Sequence, residues 1–296
     1  MGDPPVELLA AYWTLAGDVY PGAPTEVSPF PLEDRVAAAA AAGWTGMGFV
    51  HEDLVATVAR IGYGGIRRVL ADGGIRYVEV EFLSDWDADP ASAERRASDR
   101  MRADLLEAAA ELGARNLKAS PHLFVTPPAD LDRMRDAFAR LCEEARPTGA
   151  SVIIEIMPFT DVRSIEDGLA IVGDAPNGGL LLDIWHVERG GIGLAEIARI
   201  PAGRLLGVEL DDAGPPIGDP FDDTRFRRRL PGDGDFEVPG FLRAARAAGL
   251  AAPYSGVEII SETFRRQPLE AMARTAFDAT IRQVRLAAVD LLEAGR

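Results

Sequence analysis

Short apolar runs that end on a polar residue recur along the chain, and amphipathic stretches that close on glycine separate them. Leu180-Leu181-Leu182 stops at Asp183, with His186 three residues on, and Gly178-Gly179 and Gly190-Gly191 bound the stretch. An aliphatic run of this kind reads as a strand buried on both faces, as in parallel sheets covered by helices. The same reading places strands over 6–13, 44–50, 76–83, 116–120, 152–156, 180–186, 205–210 and 256–260. Between them the 3.6-residue pattern predicts helices over 32–42, 53–70 (broken at 62–65), 91–112, 129–146, 194–199, 238–248 and 269–292. Gly113 is the expected stop of one helix, and Ser164 with Asp167 the expected N-terminal cap of another.

Strand-then-helix units repeated eight times point to a (β/α)8 TIM barrel of the α/β class rather than an open doubly wound sheet. No low-complexity tract divides the chain, so a single barrel domain over 1–296 is expected. In such a fold the chemistry sits at the C-terminal ends of the strands.

Composition narrows the partners. A net charge of −16 and a sequence pI of about 4.7 disfavour unaided binding to nucleic acid or to an anionic membrane. The single cysteine, Cys142, falls in a predicted helix and reads as a small core residue of a protein from a reducing compartment. The opening Met1-Gly2-Asp3-Pro4-Pro5 lacks a basic-then-apolar leader, and no long apolar span suggests a membrane helix. The expected location is cytoplasmic, with no membrane partner.

Glu155, Asp183, Glu209 and Glu258 each lie in or at the end of an apolar strand of the second half. Equivalent positions on consecutive strands converge at the barrel mouth, where crowded carboxylates raise one another's pKa unless a cation intervenes. Oxygen-only ligation favours Mg²⁺ or Mn²⁺ over zinc. All three histidines, His51, His122 and His186, follow predicted strands, and His186 can share a pocket with Asp183. Lys118, the only lysine, sits on the fourth strand. A Schiff-base role would require it neutral, whereas neighbouring acids should raise its pKa, so charge balance or hydrogen bonding is the expected role.

Ile154-Glu155-Ile156-Met157-Pro158, Leu182-Asp183-Ile184-Trp185-His186, the Gly-Val-Glu-Leu-Asp-Asp-Ala run at 207–213, the Arg-Leu-Pro-Gly-Asp-Gly-Asp run at 229–235 and Gly256-Val257-Glu258-Ile259 resemble the sugar phosphate isomerase/epimerase family. That family is part of the xylose isomerase-like barrel superfamily. The resemblance implies that Glu155, Asp183 and Glu258 bind metal, and that Glu155 and Glu258 form the acid/base pair. Glu209 stands where many members have histidine or glutamine, which makes this site more negative. By the same resemblance His186 is a substrate-side residue, and Arg228 or Arg229 binds substrate oxygens. Glu81, Lys118 and His122 complete the expected substrate set.

The implied activity is Mn²⁺- or Mg²⁺-dependent isomerisation or epimerisation of a sugar or polyol by proton transfer next to a carbonyl. The alternative is a dehydratase or lyase acting on an inosose or 3-oxo-glycoside. A Schiff-base aldolase and a non-catalytic sugar-binding barrel are weaker readings, and the acidic charge argues against a nuclease on the same fold. Barrels of this kind often pair, which leaves both a monomer and a homodimer open.

Overall fold

Eight parallel strands hydrogen-bond in chain order and close on themselves in the computed structural model, which describes residues 6–123, 129–250 and 252–294. They are β1 (Leu8–Ala10), β2 (Gly46–Val50), β3 (Tyr77–Leu83), β4 (Asn116–Ala119), β5 (Ser151–Glu155), β6 (Gly178–Asp183), β7 (Leu205–Leu210) and β8 (Ser255–Val257). β1 pairs with both β2 and β8, so no sheet edge is left open. This is the (β/α)8 barrel that the strand-then-helix rhythm predicts.

Local signals in the sequence mark several helix ends. Ser164 Oγ accepts from the Asp167 N–H at 3.0 Å and starts helix Ile165–Val172. Gly113 takes a left-handed conformation (φ 63°) at the end of helix Ala93–Leu112, which glycine adopts at no steric cost. Helix His51–Asp72 is interrupted at Gly62. Leu105, Phe138 and Phe241 from the surrounding helices are fully buried in the core. Cys142 is buried with them, and that burial pushes its thiol up to about 12. An inert core residue is what such a thiol amounts to.

The observed elements depart from the expected ones in four places. β1 is short, and Tyr12–Leu15 turns into a helix directly after it. β6 ends at Asp183, whose carboxylate accepts the Trp185 N–H at 2.7 Å and starts helix Ile184–Gly190, so Trp185 and His186 are helical rather than extended. The polar stretch 212–235 holds a helix, Pro220–Phe226, capped by Asp219. Glu258 lies one residue beyond β8. Residues 1–5, read above for a leader, lie outside the described residues. Among the described residues no helix is long and apolar enough to cross a membrane.

Strand register aims the acids inward. Asp183 pairs with Glu209, and Glu209 with Gly256, so these positions share one face, as does Glu258 two residues on. Gly256 leaves the space that Glu209 fills: a Cβ there would lie 2.8 Å from Glu209 Cγ.

Candidate functional site

The floor of the barrel mouth is a buried ionic network. Lys118 Nζ, on β4, lies 2.5 Å from Glu209 Oε1, 2.7 Å from Glu81 Oε2 and 3.6 Å from Glu79 Oε2. Glu79 Oε1 also accepts from the Tyr254 hydroxyl at 2.6 Å and from Asn116 Nδ2 at 2.7 Å. Burial alone would favour the neutral amine, but the carboxylates led by Glu209 overcome it and hold Lys118 well above its ordinary pKa. A carbonyl-attacking lysine needs the reverse.

A second cation stands across the site. Arg228 Nη1 lies 2.5 Å from Asp183 Oδ2, 2.8 Å from Asp211 Oδ2 and 3.1 Å from Glu258 Oε2. Thr224 Oγ1 accepts from its Nε and Nη2, which fixes the guanidinium plane. Next to it, His186 Nε2 stands 3.3 Å from Glu155 Oε1, outside hydrogen-bond geometry.

Two cations do not neutralise this many acids. Burial is the largest cause that raises Glu258, and Asp183 and Glu155 add to it, while Arg228 and Lys118 pull it down; the balance holds it at about 8. Glu209 is held well above the usual carboxylate range, first by burial and then by Glu258, Glu155 and Glu81, against the pull of Lys118. Asp211 is raised in the same way, by burial and by Asp183.

Two groups of side chains are spaced to hold a metal ion. Asp183, Glu209 and Glu258 each present an oxygen within 4.8 Å of the others, and Glu155, Asp183 and His186 form a second such group. Glu155 Oε1, Glu209 Oε2 and Glu81 Oε1 are buried without a hydrogen-bond partner among the described residues. Unsatisfied buried carboxylate oxygens are costly, and a metal ion is one way to satisfy them.

Above this floor opens a cavity of about 690 Å³, lined by Glu81, Glu155, His186, Arg228 and Glu258 among others. Of the residues expected at the site, these five face the cavity, while Asp183, Glu209 and Lys118 lie beneath them. Two expected substrate residues are placed elsewhere. His122 has both ring nitrogens in ion pairs, Nδ1 with Asp161 and Nε2 with Asp87, each at 2.7 Å, and does not line the cavity. Arg229 is exposed, and its Nη1 donates to the Asp233 carbonyl at 3.2 Å. His51 does reach the cavity rim, with its Nε2 2.8 Å from Asp104.

Sequence reasoning gave no site role to Asp211, to Arg225 or to the apolar wall of Trp13, Phe82, Phe159 and Phe221. Asp211, one residue past β7, is signalled by its two-residue spacing from Glu209. The wall is assembled from distant parts of the chain, with Trp13 on helix Tyr12–Leu15, Phe82 on β3, Phe159 after β5 and Phe221 on helix Pro220–Phe226, and leaves no local pattern.

Comparison with known proteins follows the same lines. The family model described as "Xylose isomerase-like TIM barrel" matches residues 36–283. Over 253 residues the chain is 27% identical to a 3-dehydroshikimate dehydratase of Pseudomonas aeruginosa, a match that covers 82% of this chain but 38% of that protein. Among solved structures, a xylose isomerase-like TIM barrel/4-hydroxyphenylpyruvate dioxygenase fusion protein superposes with a TM-score of 0.84 at 20% identity, covering 99% of this chain and 45% of the fusion. An L-ribulose 3-epimerase superposes with a TM-score of 0.72 at 18% identity, covering 99% of both chains. At those identities the structural likeness is one of fold.

Proposed function

Because this chain belongs to the xylose isomerase-like TIM barrel family, we propose that it moves a proton next to a carbonyl on a sugar or polyol, as an isomerase or epimerase dependent on Mn²⁺ or Mg²⁺. The observation that carries the reading is the pair Glu155 and Glu258, which face one cavity above Asp183 and Glu209. Proton transfer at carbon needs a base within reach of the proton and an acid to return it. Burial and the acids Asp183 and Glu155 raise Glu258 above the usual carboxylate range, which suits it to return the proton, and Glu155 serves as the base.

Asp183 and Glu209, with Glu155 and Glu258, would hold the divalent ion. When bound it supplies electrostatic stabilisation of the negative charge that develops as the proton leaves. Each carboxylate has two oxygens, so ligation and proton transfer are compatible in one residue. His186 orients the substrate hydroxyls from the side wall, Arg228 holds Asp183, Asp211 and Glu258 in place, and Glu81 bounds the cavity on the opposite strand. Lys118 holds Glu209 and Glu81 in place and fixes the charge beneath them.

The relative of P. aeruginosa favours a second fate for the same first step. If a β-hydroxyl leaves after the proton is removed, the product is an enone and water, and the enzyme is a dehydratase. One experiment tests both routes. Ketoses, inososes, 3-oxo-glycosides and 3-dehydroshikimate are incubated with the protein and Mn²⁺ in deuterated water and followed by NMR. Deuterium at the carbon next to the carbonyl supports proton transfer; elimination is identified by a new ultraviolet-absorbing enone from the saturated ketones, and by an aromatic product from 3-dehydroshikimate, which is itself an enone. Exchange in none of them, or undiminished exchange in Glu258→Gln, sinks the reading.

A further inference from the structure

The ionic floor occupies only part of the cavity. Its outer wall is built from Trp13, Phe82, Met101, Met157, Phe159 and Phe221. Phe159 packs edge-on against both His186 and Phe221, with ring centroids 5.5 Å apart in each case. Arg225 covers another part of the Phe221 ring, its guanidinium carbon 4.1 Å from the centroid. These contacts make a fixed aromatic surface that begins beside the proposed acid/base pair and runs outward. A small sugar bound at the carboxylates offers only its C–H faces to the rings and covers only the part of that surface nearest the carboxylates. The cavity volume of about 690 Å³ lies near the middle of the range of roughly 300–1,000 Å³ for small-molecule sites.

The charges of the wall weigh against a phosphorylated substrate. Glu26, Glu52 and Glu81 line the cavity, and the only lysine is locked beneath it. Of the two lining arginines, Arg228 is held by three carboxylates, and Arg225 pairs through Nη2 with Asp222 at 2.6 Å while its Nε is left without a hydrogen bond. A phosphate dianion would meet more acids than available cations.

From these observations we infer that the substrate is an uncharged polyol ketone bearing an apolar, ring-sized substituent: the polyol reaches the carboxylates, and the substituent packs on Phe159 and Phe221. The inference rests on the proposed proton-transfer reading for where the polyol sits, but its test does not depend on turnover.

Binding of unreactive probes to the full chain with Mn²⁺ present is measured by titration calorimetry. The probes are methyl β-glucoside, phenyl β-glucoside and glucose 6-phosphate. The phenyl glucoside should bind at least about tenfold tighter than the methyl glucoside, as expected for burying a ring, and the phosphate should bind weakest. Phe221→Ala and, separately, Phe159→Ala should each shrink the phenyl-over-methyl preference to about threefold or less. Equal affinity for the two glucosides, undetectable binding of the phenyl glucoside, or preferential binding of the phosphate overturns the inference. Deuterium exchange into a small ketose without any phenyl preference would defeat this inference and leave the proton-transfer reading intact. A phenyl preference without exchange in any ketone would do the opposite.

Discussion

Lys118 Nζ and Glu209 Oε1 lie 2.5 Å apart, and each side chain is only 1% exposed. A buried pair of this kind is held against large desolvation costs, and removal of one partner leaves the other charge uncompensated. Lys118→Met should therefore destabilise the fold by about 3–5 kcal/mol. Adding Glu209→Gln should recover part of that loss, because the orphaned carboxylate is gone. Urea denaturation of the two single variants and the double variant checks this, and strict additivity would show that the two residues are not coupled.

Divalent metal should stabilise the protein through the carboxylates of the floor. At a hundredfold excess over its dissociation constant, Mn²⁺ contributes about 2.7 kcal/mol, which corresponds to a rise in Tm of roughly 5 °C for a chain of this size. Glu155→Gln should reduce that rise at the same Mn²⁺ concentration. A thermal midpoint indifferent to Mn²⁺ and Mg²⁺ would remove the metal from the proposed function.

His122 predicts a pH dependence of stability. The Asp161 and Asp87 carboxylates that pair with its ring N–H groups outweigh burial and raise its pKa from 6.5 to about 10. Since the folded value lies above the unfolded one, its contribution is complete below pH 6.5 and is lost as pH rises through about 10. The denaturation midpoints of the parent and of His122→Gln should differ most near pH 6 and converge above about pH 10. A gap that stays constant across that range would refute the assignment.

Gly256 sets the position of Glu209. A methyl group there would meet Glu209 Cγ at 2.8 Å and the Val208 carbonyl at 3.0 Å, and the backbone oxygen cannot yield. Gly256→Ala should cost about 1–3 kcal/mol in overpacking. It should also diminish the Mn²⁺-dependent rise in Tm, because Glu209 is pushed from its place. Calorimetric scans with and without Mn²⁺ report both effects.

The barrel was legible in the sequence because each strand is an apolar run with a polar exit, a pattern carried by neighbouring residues. The convergence of Glu155, Asp183, Glu209 and Glu258 was legible for the same reason, since strand ends share one rim. Local detail failed where a side chain rewrites the backbone around it. Asp183 caps its own successor, which turns Trp185 and His186 into a helix that the aliphatic run disguises. Asp219 followed by Pro220 was a readable helix start inside the polar stretch. What no local pattern carries is pairing across the fold. His122 looks like a rim residue until Asp87 and Asp161, from two other loops, take both of its ring nitrogens. Arg228 and Arg229 are neighbours in sequence, yet one is sealed among acids and the other faces solvent.

The lysine beneath the carboxylates also bears on how the protein is handled at the bench. Lys118 is the only lysine in the chain and is 1% exposed, so amine-reactive dyes, acylating reagents and amine-coupled sensor surfaces find no ε-amino group on the folded protein. Acylation at Lys118, read by mass spectrometry, therefore marks only molecules whose barrel has opened, and its rate is a covalent clock for unfolding.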